Sequence, residues 1–170
     1  MGKYNKILAN FNATVGDFTV TDHQALPSVT EFQTIAAWHC PAQVKVAVGY
    51  GSDAQPDSCG YIYISLTNGV DAAPVEITGK VRVIITNNDG TKVAVIAEFD
   101  ESTTHGSLTD RKLKLPLSER RPMIKQDDWI KVQVMPLVAH VAAGANADNL
   151  GWGPNTAQQS VIQLPITVYN

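Results

Sequence analysis

Residues Val75 to Phe99 read VEITGKVRVIITNNDGTKVAVIAEF, and no other part of the chain constrains the fold as tightly. Apolar residues keep one parity from Val75 to Ile85, which is the period of a strand with one buried face. Gly79 within this run predicts a bulge or bend. The turn Asn87–Gly90 supplies residues that tolerate positive φ, and a second alternating run returns from Lys92 to Phe99. The pattern predicts an antiparallel hairpin.

The same alternation recurs along the rest of the chain and predicts further strands. These are Gln43–Tyr50, Gly60–Thr67, Arg111–Leu117, Trp129–Met135 and Ser160–Tyr169, with weaker candidates at Asp17–Val20 and Val29–Ile35. No window shows helical spacing of apolar residues. Strands at short intervals with Gly, Pro, Asn and Asp between them predict an all-β fold. We expect an antiparallel β-sandwich or jelly roll of about eight to ten strands in a single domain.

Composition agrees with one globular domain. The chain has 170 residues, 44% of them hydrophobic, with a net charge of −3 and a mean hydropathy of −0.07. A chain of this length buries a core without needing disulfides. Within it we expect residues 1–40 to form an N-terminal arm or irregular edge strands, and residues 41–170 to form the jelly-roll β-sandwich.

The last quarter of the chain is almost without charge. Residues 132–170 contain one charged side chain, Asp148, where the average for soluble domains predicts several. Polar residues interrupt every apolar run, so the segment is not a membrane span. Depletion of charge marks the centre of protein interfaces, and Trp152, in a long loop of small residues, is a candidate anchor. The predicted subunit interface comprises His140, Asn146, Leu150, Trp152, Pro154, Val168 and Tyr169. The simpler alternative is that residues 139–157 only connect two strands.

Basic residues cluster between positions 111 and 131. This window holds seven of the 13 basic residues and carries a net charge of +4. A predicted docking patch consists of Arg111, Lys112, Lys114, Arg120, Arg121 and Lys125. Such a cluster is most often a solvated loop and strand edge, but it also suits the acidic rim of a neighbour, lipid headgroups or phosphate. The balance of charge over the whole chain argues against sequence-specific binding of nucleic acid.

No catalytic or metal-binding constellation is apparent. The four histidines are scattered, without the spacing of a zinc site. Asp127 and Asp128 are adjacent and would point to opposite faces of a strand, so we interpret them as a turn before Trp129. A calcium site near Glu98 has little support. We therefore predict no enzymatic activity and no cofactor.

Two cysteines, Cys40 and Cys59, precede predicted strands. If those strands form a simple hairpin, the two sulfur atoms lie at opposite ends, farther apart than the about 7 Å between Cα atoms that a disulfide permits. We therefore expect two reduced thiols, in agreement with intracellular synthesis.

Aromatic residues leave a second function open. Trp38, Trp129 and Trp152 could form a stacking platform for a carbohydrate or another ligand on a virion or cell surface. Exported modules of that kind normally begin with a signal peptide. Residues Met1–Asn10 contain no apolar stretch of the required length, so export by that route is not expected.

The strand set, the polar turn Gln126–Asp128 leading into an alternating strand, and the uncharged C-terminal quarter together resemble a known class of protein. The chain is similar to single-jelly-roll capsid proteins of icosahedral, membrane-containing bacterial or archaeal viruses. The resemblance spans residues 40–170 and rests on pattern and size. It implies a capsid-shell subunit, made in the host cytoplasm and located in the virion. Its partners would be other copies or other capsid subunits, with a membrane or inner protein layer beneath. The N-terminus departs from many capsid proteins in having only Lys3 and Lys6 instead of a long basic arm.

Overall fold

A computed structural model describes residues 4–11, 23–40, 45–48, 61–67, 77–98, 107–109, 111–114, 123–140, 150–151 and 160–169. These residues contain twelve strands, three of them two residues long. The strands are β1 (Tyr4–Phe11), β2 (His23–Gln24), β3 (Gln33–His39), β4 (Lys45–Val48), β5 (Tyr61–Ser65), β6 (Gly79–Thr86), β7 (Val93–Glu98), β8 (Arg111–Lys114), β9 (Met123–Ile124), β10 (Trp129–Pro136), β11 (Leu150–Gly151) and β12 (Val161–Tyr169).

The first sheet is organised around β12. Strand β1 pairs with β12 along its whole length, from Phe11 opposite Ile162 to Tyr4 opposite Tyr169. The other edge of β12 carries two short strands, because β5 pairs with its first residues and β4 with its last. Strands β4 and β5 therefore lie end to end. Strand β8 pairs with β5 and β9 pairs with β4, so β8 and β9 continue each other as the outermost strand.

The second sheet has the order β3-β10-β6-β7. Its central pair, β10 and β6, keeps register from Trp129 opposite Thr86 to Pro136 opposite Gly79. The register of β6 and β7 shifts between Val83 and Ile84, which leaves Ile96 of β7 as an extra residue at a bulge. Gly79, where a bulge or bend was predicted, is the first residue of β6 and is in register with Pro136, so the bend stays a prediction. A small third sheet joins β2 and β11.

Alternation places the core between the two large sheets. The second sheet contributes side chains with no exposed surface from β6 and β10: Val81, Val83, Ile130, Val132 and Val134. The first sheet contributes equally buried side chains from β5 and β12: Ile62, Ile64 and Ile162. The arrangement agrees with a β-sandwich. Leu108 links the sheets at one end, since its N–H donates to the carbonyl of Ile77 at 2.8 Å and its carbonyl accepts from Leu66 at 3.0 Å.

The Asn87–Thr91 turn explains why β6 and β7 form the predicted hairpin. Gly90 has a φ of 73°, a conformation that glycine adopts without a steric cost. The Asp89 carboxylate accepts from both the backbone N–H and the hydroxyl of Thr91, at 2.9 and 2.7 Å. These bonds lower the pKa of Asp89. The turn is therefore closed by its own side chains.

The prediction of an all-β fold with antiparallel sheets is confirmed, because every strand pair among the described residues is antiparallel. The premise of a hairpin between the strands after Cys40 and Cys59 is wrong, since β4 and β5 lie end to end on β12. The candidate strand Val29–Ile35 is displaced to Gln33–His39. Asp17–Val20 lies outside the described residues. The domain division at residue 40 stays a prediction.

Candidate assembly surface

The predicted interface residue His140 lies against its own chain. Its N–H donates to the carbonyl of Leu26 at 2.9 Å, and its carbonyl accepts from the Leu26 N–H at 2.8 Å. Its surface is only 8% exposed. His140 therefore has little surface area to offer a neighbouring subunit.

For the other predicted interface residues, the structure describes either the backbone position alone or nothing. Val168 and Tyr169 end β12, where the main chain pairs on one side with β1 and on the other with β4. Leu150 pairs with Gln24 in the third sheet. Asn146, Trp152 and Pro154 lie outside the described residues. The interface role of this group stays a prediction.

The described members of the predicted basic patch lie along one edge of the first sheet, which we call the basic edge. Arg111, Lys112 and Lys114 are in β8, and Lys125 follows β9, which continues the same outer strand. The Arg111 side chain is exposed, and its Nε donates to the carbonyl of Ser107 at 2.9 Å. Lys125 is also exposed. Arg120 and Arg121 lie outside the described residues.

An exposed apolar strand edge, which the sequence analysis missed, occurs at β7. Val93 is 57% exposed and Val95 50% exposed, and Ala94 between them is exposed as well. Within the described residues β7 pairs only with β6, so no described strand covers the far edge of its backbone. The sequence did hold a signal, because VAVIA places apolar residues on both parities and leaves no polar face. A strand of this kind at a sheet edge marks a surface for another chain.

A cleft of about 310 Å³ lies beside the start of β7. Ile85, Val93 and Ala94 contribute its apolar lining. Its polar lining comes from Asn87, Lys92, Lys125 and Asp128. The Asp128 carboxylate accepts from the backbone N–H of Lys125 at 3.1 Å, so it is engaged within its own turn. The two lysines are exposed. Against the one aspartate they give the cleft lining a net charge of +1, which favours an acidic group.

The turn before β10 brings His39, Trp129 and Asp127 together at the end of the second sheet. The His39 and Trp129 rings stack with centroids 4.5 Å apart. His39 Nε2 lies 3.7 Å from a carboxylate oxygen of Asp127, whose φ of 66° is unusual for a residue with a side chain. The predicted turn at Asp127 and Asp128 is confirmed. Because His39 covers one face of Trp129, this ring is poorly placed as a stacking platform for a sugar.

Cys40 is a fully buried thiol at the same corner. Its backbone N–H donates to the carbonyl of Asp128 at 2.9 Å, and its carbonyl accepts from the Asp127 N–H at 3.2 Å. Burial raises the pKa of the Cys40 thiol, and the carboxylates of Asp128 and Asp127 raise it further. The thiol is therefore held neutral, which makes it a poor nucleophile near neutral pH. Cys59 lies outside the described residues.

We expect Cys40 to resist alkylation by iodoacetamide at pH 7.5 in the folded protein and to react after denaturation. Because the pKa is raised on folding, the unfolded chain ionises first as the pH rises. The stability that this thiol contributes is therefore fully present below the ordinary thiol pKa of 9.0 and is lost as the pH rises from there towards the raised pKa of the folded protein. Mass-spectrometric peptide mapping separates Cys40 from Cys59. The unfolding free energy of a Cys40→Ala variant should depend less on pH in this range, and rapid labelling of folded Cys40 at pH 7.5 would contradict the expectation.

The described residues contain no group of three or more His, Cys, Asp and Glu side chains arranged to hold a metal ion. In the same part of the chain, no helix is long and apolar enough to cross a membrane.

Comparison with known proteins finds similarity in structure but not in sequence. No family model matches the sequence, and no curated protein sequence is significantly similar to it. The structure is similar to VP17, a capsid protein of bacteriophage P23-77, with a TM-score of 0.50 and 10% sequence identity. The likeness covers 99% of this chain and 96% of that chain. The resemblance to capsid proteins that the strand pattern predicted is thus confirmed at the level of the fold.

Proposed function

We propose that this protein is a structural, non-enzymatic subunit of a virus capsid shell. The observation that carries the proposal is the likeness to a bacteriophage capsid protein along almost the whole of both chains. The likeness extends along nearly all of these residues, which supports a single structural unit of that fold. The protein would be made in the host cytoplasm and reside in the virion, with other copies or other capsid proteins as partners.

The order of the strands supports a jelly roll. Taking β4 with β5 as one position and β8 with β9 as another gives eight positions when the short strands β2 and β11 are left aside. In chain order, one sheet then reads 1-8-3-6 and the other 2-7-4-5. Positions 1 and 8, 2 and 7, 3 and 6, and 4 and 5 are paired, as in a long antiparallel ribbon rolled into a sandwich. This connectivity is common among viral capsid domains.

Exposed apolar residues support assembly through more than one face. Val93 and Val95 lie at the β7 edge, while Leu137 (50% exposed) and Val138 (65% exposed) follow the far end of β10. A shell subunit needs contacts on several sides, because each copy meets several neighbours. The uncharged C-terminal region, with Trp152 as an anchor, and the basic edge would supply further contacts with neighbouring subunits.

Sedimentation velocity at micromolar concentration tests the proposal. We expect assembly to species larger than a monomer, either alone or with the other proteins of the same particle, which electron microscopy would show as ring or shell fragments. Trp152→Ala should weaken association by about 2 kcal/mol or more while circular dichroism stays unchanged, because loss of an interface anchor removes a large desolvated contact.

The matched control is Trp38→Phe, which keeps an aromatic ring in β3 and should leave association unchanged. A strictly monomeric protein at every salt and protein concentration, which also fails to join any shell protein, would overturn the proposed role. Unchanged assembly of Trp152→Ala would instead mean that the segment around this residue only connects two strands.

A further inference from the structure

We infer that the β7 edge binds an extended acidic segment of another polypeptide, which adds as a fifth strand to the second sheet. The inference deepens the proposed function, on which it rests for the source of that segment, namely another protein of the same shell. The surface concerned, which we call the β7 docking edge, consists of Lys92, Val93, Ala94, Val95 and Lys125.

Backbone chemistry argues for a strand as the occupant. Alternate N–H and C=O groups of an edge strand point away from its only neighbour, and they bond most fully to another extended chain. The open segment is short, because the Asn87–Thr91 turn ends it on one side and the bulge at Ile96 interrupts it on the other. A partner would therefore pair with about three or four residues around Ala94.

The register of β6 and β7 shows which side chains such a strand would meet. Val93 and Val95 are opposite Thr86 and Ile84, so these valines share the outer face of the sheet. Ala94 is opposite Ile85, on the face that lines the cleft with Lys92 and Lys125. A partner with apolar residues on one parity and carboxylates on the other would match both faces.

The charges at this surface favour an acidic occupant. The described residues show no ion pair for Lys92 or Lys125. Hydrogen bonds hold the nearby carboxylates within their own turns without removing their charge, since Asp128 accepts from the Lys125 N–H and Asp89 from the Thr91 N–H. The cleft lining, with two lysines and one aspartate, keeps a net charge of +1. Glu98 lies at the other end of β7. The basic edge runs along the outer strand of the first sheet, and sheets in a sandwich are about 10 Å apart. A second copy joined edge to edge through β7 would bring two such basic edges together, which disfavours it as the occupant.

The test uses a synthetic peptide with the sequence Val-Glu-Val-Glu-Val-Thr, acetylated and amidated, titrated into the full-length protein by calorimetry. We expect binding together with slower amide hydrogen exchange in β7. Lys92→Glu and Lys125→Glu should each weaken binding by about tenfold, because each replaces an attraction by a repulsion. Lys80→Glu carries the same change of charge at the opposite end of β6 and should have little effect.

Two control ligands separate strand addition from simple attraction of charge. A peptide with proline in place of its second valine lacks an N–H for pairing and should bind at least tenfold more weakly. A single-stranded oligonucleotide of equal charge should not slow exchange in β7. Equal binding of the proline peptide or of the oligonucleotide, or absence of peptide binding while the protein still assembles, would overturn the inference and leave the shell role standing. Peptide binding by a protein that never assembles would support the docking edge and count against the shell role.

Discussion

Replacing Ile130 with alanine should lower the free energy of unfolding by about 4 kcal/mol. The side chain has no exposed surface, and its strand is held on both sides, with Ile130 opposite Trp38 of β3 and Ile85 of β6. Because β3 and β6 are hydrogen-bonded to β10, their side chains cannot move into the space that the truncated side chain leaves. The lost stability therefore combines the transfer free energy of the removed atoms with the cost of a cavity. Domains of this size are stable by about 5–15 kcal/mol, and the variant would lose a large fraction of that margin.

Urea denaturation followed by tryptophan fluorescence measures this effect. The midpoint should fall while the dependence on urea stays the same, since the surface exposed on unfolding is nearly unchanged. Val138→Ala is the control, because Val138 is 65% exposed and its truncation should cost less than about 0.5 kcal/mol. Similar losses for the two variants would mean that Ile130 does not lie at the centre of the core.

The second large effect is expected for Gly79→Ala, which should cost about 3 kcal/mol. Gly79 begins β6 opposite Pro136, and a Cβ placed on it would lie 2.5 Å from the carbonyl oxygen of Met135 and 2.8 Å from Pro136 Cα. Both are backbone atoms of β10, so no side-chain rotation can relieve the overlap. The two central strands would have to separate at this end. A fall in melting temperature of about 10 °C, measured by circular dichroism, would correspond to this loss.

Gly90 offers a matched comparison within the same hairpin. No atom lies within 4 Å of a Cβ placed on Gly90, but its φ of 73° is unfavourable for alanine. Gly90→Ala should therefore cost about 1 kcal/mol, and Gly90→Asn less, since asparagine tolerates this conformation. If Gly79→Ala proved as mild as Gly90→Asn, the close approach of β6 and β10 would not exist in solution.

The same unfolding measurements serve as controls for the assembly experiments. Loss of association in any interface variant is meaningful only if its unfolding free energy stays near that of the original protein. Val93, Val95 and Lys92 suit such experiments, because their exposure means that substitution removes few contacts within the subunit.

The basic patch shows what a sequence pattern predicts and what it leaves open. Its described residues are close in the sequence, but Arg111, Lys112 and Lys114 are in β8 whereas Lys125 follows β9, and these two strands pair with different partners. They lie on one edge only because β4 and β5 share the same edge of β12, a fact that no local pattern contains. The predicted hairpin between the strands that follow Cys40 and Cys59 is wrong for the same reason. Both strands pair with β12, which is far away in the sequence, and not with each other.

Local sequence by itself determined the strongly alternating strands: side chains alternate across a strand, and Asn-Asn-Asp-Gly closes a turn with its own bonds, so β6, β7 and β10 could be located from residues alone. Strands β1, β2, β9 and β11 were not among the predicted strands. Only the tertiary structure decided which strands became edges: in the part of the chain that the structure describes, β7 has one partner strand and β12 has partners on both sides. The physical reason is that the period of a strand specifies which face is buried, whereas its neighbours are chosen by contacts between segments far apart in the chain.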